Sequence, residues 1–219
     1  KIYIPGVSIR EVEITKEDYG YEVRITVLAC KEDFELYRDS IKHIMEMTGG
    51  TAIYESGEKI NDAIRFFDDE FIEESMDSDL DVILIMVREQ NEMAIFCPFR
   101  VFCIGKNIIE QVSKYGVNNN TIRTHLYNLI RRSQYEKIST HDTPVFIINS
   151  KESHETDEEN ELNLDRLTIY RKNEYDFISW AKYVGLCDEN ENCIVILYEN
   201  LHKIAPDSWT LFDEKQFRT

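Results

Sequence analysis

Glycine and proline are scarce in this chain, at 8 and 4 among 219 residues. These residues punctuate helices and strands, so their scarcity favours continuous elements over a loop-rich scaffold. Apolar side chains make up 42% of the chain, which is ample for a packed core and argues against global disorder. No apolar run reaches the roughly 18 residues that a membrane helix needs. The length suits one large domain or two small ones.

Hydrophobic periodicity sorts these elements into an α+β chain. Ile9 to Lys16 and Tyr21 to Cys30 read as strands around a turn at Glu17 to Gly20. Asp33 to Met47 shifts to helical spacing, with Phe34, Ile41, Ile44 and Met45 on one stripe, and Gly49-Gly50 stops it. A second helix is predicted from Ile60 to about Met76, with Ile60, Ile64, Phe67 and Phe71 on its apolar face. Leu80 to Val87 is almost continuously apolar and is predicted as a central strand. Met93 to Cys97 and Val101 to Ile104 follow as strands, interrupted by Pro98. Asn107 to Tyr115 and Thr121 to Arg132 read as two helices. Further on, Val145 to Ile148, Leu162 to Tyr170 and Cys193 to Tyr198 read as strands, Tyr175 to Val184 as a short helix, and Trp209 to Phe212 as a partner for the last strand.

The expected fold is a mixed or antiparallel sheet packed with about four to five helices, including an αα-hairpin near the middle. An α+β core with that hairpin is expected over residues 1–150. Residues 151–161 are expected to form an acidic loop or linker, and 162–219 a smaller α/β segment packed on the same core.

Charge bears on function. The chain carries 42 Asp and Glu against 25 Lys and Arg, a formal net charge of -17. Such a field repels phosphate and attracts basic partners. Asp68, Asp69, Glu70, Glu73, Glu74, Asp77, Asp79 and Asp81 crowd one stretch. With a helix ending near Met76, several stand at its negative pole, which disfavours carboxylates by roughly 0.3–1 kcal/mol each. Like charges three or four apart add repulsion. The stretch is either a solvated face or a docking surface for a basic partner, with Asp69, Glu73, Glu74 and Asp77 as its contacts. Tyr170 and Tyr175, near Trp180 and Tyr183, read either as core or as an interface. The leading expectation is a non-enzymatic, cytoplasmic interaction domain, of the inhibitor or immunity type, that binds a basic protein and needs no cofactor. No signal pattern opens the chain, although its first residue is Lys, so a trimmed leader stays open.

Residues 107–132 read NIIEQVSKYGVNNNTIRTHLYNLIRR. Val112, Gly116, Val117, Ile122 and Leu126 stand where a helix–turn–helix needs its contacts and its turn, and Asn120 is placed to cap the second helix. The stretch resembles the helix–turn–helix of bacterial winged-helix regulators. That resemblance implies a second helix in the major groove, with Thr121, Arg123 and Thr124 on bases or phosphates and Arg131 and Arg132 on the backbone. It departs from the family in having Val at 112, where a small residue is usual, and in lacking a glycine-turned wing after Arg132. A DNA-binding regulator is therefore the second functional reading, and a plain αα-hairpin is the structural one. The same basic helices also suit the acidic surface of a second copy, which gives a homo-oligomer.

Asp79-Leu80-Asp81, read as the mouth of a strand, resembles the Asp-x-Asp strand of nucleotidyltransferases. That implies two carboxylates on one side holding a divalent cation. The Gly-Ser turn that family carries upstream is replaced here by Phe67-Asp68-Asp69-Glu70-Phe71. The five cysteines form no dense framework and read as reduced thiols, with a Cys187–Cys193 bridge as the alternative. His43, His125, His141, His154 and His202 fall into no zinc pattern. The chain carries no nucleophile elbow, Walker lysine loop or Rossmann glycine pattern.

Overall fold

The computed structural model describes residues 1–135, 142–148, 165–172 and 174–218. The expected acidic loop at 151–161, His141 and His154 lie outside the described residues. The chain divides into two compact units, Lys1–Glu136 and Lys137–Thr219. Among the described residues it is α+β, with five α-helices, one 3-10 helix and several small sheets.

The first unit opens on an antiparallel hairpin of β1 (Val12–Glu17) and β2 (Gly20–Ile25). Helix α1 (Lys31–Thr48) follows, and Gly49 ends it in the left-handed region at φ 65, where a side chain would be strained. Its Asp33 is fully buried, and the Oδ2 atom accepts the backbone N–H groups of Ile9, Arg10 and Cys30 at 3.0–3.1 Å. This single carboxylate pins the chain before β1 to the start of α1. A short hairpin, β3 (Ala52–Ile53) with β4 (Lys59–Ile60), leads into α2 (Ala63–Phe66).

The expected helix over 60–76 is therefore divided. Ile60 belongs to β4, and Asp68 starts a new helix, α3 (Asp69–Gln90), by accepting the N–H of Phe71 at 2.9 Å. The central strand expected over Leu80–Val87 is instead the second half of α3. A short apolar run does not distinguish a buried strand from a helix. The wider stripe does: Ile72, Met76, Leu80, Ile83 and Val87 are buried at spacings of three and four, while Val82 and Ile85 face out.

Strands β5 (Glu92–Phe96) and β6 (Val101–Gly105) pair antiparallel, with Pro98 in their connection. Helices α4 (Lys106–Ser113) and α5 (Asn119–Tyr135) complete the unit. Asn118, not Asn120, caps α5, accepting the N–H of Thr121 at 2.9 Å. Val117, expected as a packed contact, is 85% exposed. Ile122, Leu126 and Ile130 are buried on α5, and Gln134 holds the β5–β6 turn by accepting the N–H groups of Phe99 and Arg100.

In the second unit, a four-stranded sheet has the order β11-β10-β8-β7, where β7 is Val145–Ile148, β8 Asp165–Arg171, β10 Tyr183–Cys187 and β11 Cys193–Leu197. It is mixed, since β8 and β10 run parallel and its other pairs antiparallel. The helix expected over Tyr175–Val184 does not form. Phe177–Ile178 is strand β9 instead, and the N–H groups of Ser179 and Trp180 are taken by Thr143 Oγ1 and Gln216 Oε1. These partners replace the carbonyls a helix would supply. β12 (Thr210–Leu211) pairs with β13 (Phe217–Arg218), which pairs with β9, so residues 209–212 do not pair with β11. Cys187 and Cys193, opposite each other in the β10–β11 pair, form a disulfide, while Cys30, Cys97 and Cys103 are free. The all-reduced expectation is corrected for this one pair. Among the described residues, no helix is long and apolar enough to cross a membrane.

Candidate functional site

The acidic stretch lies at the N-terminal end of α3, not at a helix C-terminus. The carboxylates of its first turn, Asp69 and Glu70, meet the positive pole and stabilise the helix. Much of the stretch also has internal partners. Asp68 is the cap, and Asp69 pairs with Lys31 at 3.2 Å. Glu73 and Asp77 both bind Arg123, at 2.6 and 2.7 Å. Glu74 is exposed and has no partner among the described residues. Of the contacts expected on this stretch, only Glu74 is uncommitted.

The helical hairpin also turns differently from the expected groove reader. Arg123, expected on the outward face, is 6% exposed and points at α3. Arg131 donates from Nε to the carbonyl of Val7 at 2.8 Å and lies 3.7 Å from Glu32. Tyr127 and Tyr135 donate to the carbonyls of Ala29 and Ser8, so this flank of α5 is occupied by its own chain. Thr124 and Arg132 are exposed, and Thr121 is half-buried against Gly116.

Asp79 and Asp81 sit two apart on a helix, which separates them by roughly 200°. Their expected placement on one side of a strand is thereby corrected. Asp79 accepts the N–H of Leu28 at 2.8 Å, and burial raises its carboxyl above the ordinary range against the opposing pull of Leu28 and Ala29. Asp81 meets Asn119 at 3.3 Å instead. Among the described residues, no group of three or more His, Cys, Asp and Glu is placed to hold a metal ion. In the second unit Tyr170 is a core residue, 9% exposed and packed edge-on to Trp209 at 5.0 Å, and Tyr175 packs on the same cluster.

A groove of about 690 Å³ lies in the first unit. It is bounded by residues 19–24 of the β1–β2 hairpin, by the C-terminal half of α1, and by residues 50–55 around β3. Ile60 and Ile41 are its buried floor, continuous with a cluster containing Ala63 and Phe67. Under it Tyr37, Tyr54, Phe66, Phe67 and Phe71 pack in edge-on and tilted pairs 4.8–6.0 Å apart. Tyr19 and Ile53 on the rim are 83% and 68% exposed.

One polar group stands out in this apolar setting. Burial pushes the Tyr37 phenol up to about 12, with Tyr54 and the Glu55 carboxylate adding to the shift. Tyr54 is raised by burial and then by Glu55. Tyr37, Tyr54 and Glu55 all line the groove. Glu55 has no ion pair or hydrogen bond among the described residues, and neither do the two hydroxyls. The other charged residues lining the groove, Glu22 and Arg24, pair with each other at 2.7 Å. Sequence reasoning missed Tyr37, Tyr54 and Glu55 as a site. Tyr37 lies within the helix expected over Asp33–Met47, and nothing in its spacing from Tyr54 and Glu55 joins the three.

A second cleft of about 670 Å³ in the other unit includes Trp180, Lys182, Glu199, His202 and Lys215. Its cations already have partners, with Lys182 2.5 Å from Asp165 and Lys215 over the Trp180 ring.

Fold and groove together define an α+β chain whose first unit carries an aromatic groove with one uncommitted anionic corner. The chain belongs to the family described as Domain of unknown function (DUF4299), which matches residues 1–138 and so takes in the whole groove. No curated protein and no solved structure matches the chain.

Proposed function

We propose that the first unit is a non-catalytic binding domain that takes a basic segment of a partner protein into the groove between the β1–β2 hairpin and β3. The observation that carries this reading is that the Glu55 carboxylate and two phenols, all without internal partners among the described residues, line one apolar groove. A Lys or Arg side chain fits that chemistry. Its charge meets Glu55, its polar hydrogens reach the phenol oxygens, and its aliphatic stem lies on the apolar floor. The net charge of -17 steers a cationic partner toward the molecule and raises the encounter rate. The interaction thus moves from the α3 stretch, whose carboxylates are largely engaged, to a corner that is not.

The test is a fluorescence-anisotropy titration with a short labelled peptide alternating Lys and Val. Binding that weakens about tenfold in Glu55→Gln and falls with added salt supports the reading. Equal affinity for the variant and the parent removes it.

A further inference from the structure

The groove has a geometry that specifies how a partner segment enters it. β1 and β2 form a two-stranded sheet, and so do β3 and β4. Each inner strand, β2 and β3, therefore has one backbone edge with no strand partner among the described residues. Residues of both strands border this groove. In a pleated strand, alternate side chains point to opposite faces, so a groove over one face is lined by every second residue. Here the lining runs through consecutive residues on both sides, 20–24 and 51–55. Consecutive lining is the pattern expected of backbone edges rather than of sheet faces.

An occupant of the groove meets a six-residue edge at β2, about 20 Å long, and a two-residue edge at β3. Charge selects its composition, because Glu55 is the uncommitted ion at the groove, and the floor of Ile41 and Ile60 is apolar. The β3 edge is also unguarded, whereas β2 carries the Glu22–Arg24 pair. Proteins blunt exposed edges with charges or proline, whereas β3 presents Ile53 at 68% exposure.

We propose that a partner segment alternating apolar and basic residues enters as an added β-strand, hydrogen-bonding β2 along one side and β3 along the other. The two hairpins then become one five-stranded sheet across α1. This rests on the binding reading above and adds its mode, in which main-chain ladders supply affinity and the Glu55 corner selects for a cation.

The experiment compares the Lys/Val peptide with the same peptide N-methylated at alternate amides. Methylation keeps every charge and side chain but removes ladder donors. Amide hydrogen exchange of the full chain is followed in parallel. Strand addition is expected to show at least about tenfold weaker binding of the methylated peptide, and slowed exchange at residues 20–24 and 51–55 with the parent peptide. If both peptides bind equally and depend on Glu55, strand addition is overturned while the binding reading stands. If neither binds, both fall. If the free chain sediments as a dimer with those amides already protected, a second copy fills the groove and the partner proposal is overturned.

Discussion

The Nη2 atom of Arg123 stands 2.6 Å from Oε2 of Glu73, joining α5 to α3 at a point where only the arginine is buried. Its side chain is 7% exposed, against 53% for Glu73 and 51% for Asp77, which binds the other terminal nitrogen. That asymmetry predicts unequal costs. Arg123→Met leaves two carboxylates that water can solvate, and is expected to cost about 1–3 kcal/mol. The double change Glu73→Gln with Asp77→Asn leaves a buried guanidinium without a counter-charge, and is expected to cost about 3–5 kcal/mol. Urea unfolding followed by circular dichroism ranks the two, and the reverse order refutes the argument.

Asp33 is expected to be the costliest single carboxylate to remove. Three buried backbone N–H groups converge on its Oδ2, and the Cys30 thiol lies 3.2 Å from the same atom. Asp33→Ala orphans those donors at about 1–3 kcal/mol each. Asp33→Asn keeps one acceptor oxygen and should recover part of the loss. If the alanine variant melts within about 1 kcal/mol of the parent, the carboxylate is not what holds residues 9 and 10 to α1.

Stability should fall on the alkaline side. Burial raises the Cys30 and Tyr127 groups far above their ordinary values, and takes Cys97, Tyr37 and Tyr135 to about 12. In the unfolded chain, thiols ionise near about 8.5 and phenols near about 10. A folded pKa above the unfolded one means that the stabilising contribution is complete below the unfolded value and is lost as pH rises through the folded one. The window therefore opens at about pH 8.5 with the thiols and steepens above about pH 10 with the phenols. Melting temperatures recorded from neutral pH upward check this, and a flat profile to about pH 11 contradicts it.

Local signals made part of this architecture legible and left the site hidden. The first hairpin, the stop of α1 at Gly49 and the α4–α5 pair follow from alternation, glycine and helical spacing, all properties of adjacent residues. Leu80–Val87 misleads because a run apolar at every position but Asp81 satisfies either period, and the helix is decided by Ile72 and Met76 outside the run. The orientation of Arg123 is set by partners 46 and 50 residues away. Tyr37 reaches Tyr54 and Glu55 only because α1 and β3 fold onto one cluster, a convergence with no trace in sequence spacing.

Asp68, the cap of α3, and Glu74 within that helix differ as structural and free charge. The Oδ1 of Asp68 accepts the N–H of Phe71, satisfying a donor that the helix itself leaves open. Asp68→Ala should therefore cost about 1 kcal/mol, the ordinary loss for a removed cap. Glu74 is exposed and engages nothing among the described residues. Glu74→Ala should stay within about 0.5 kcal/mol of the parent. It should also leave affinity for the Lys/Val peptide unchanged, since the cation is expected at Glu55. Thermal melts of both variants and one titration of Glu74→Ala read this out. A several-fold loss of peptide binding in Glu74→Ala would return the docking surface to α3.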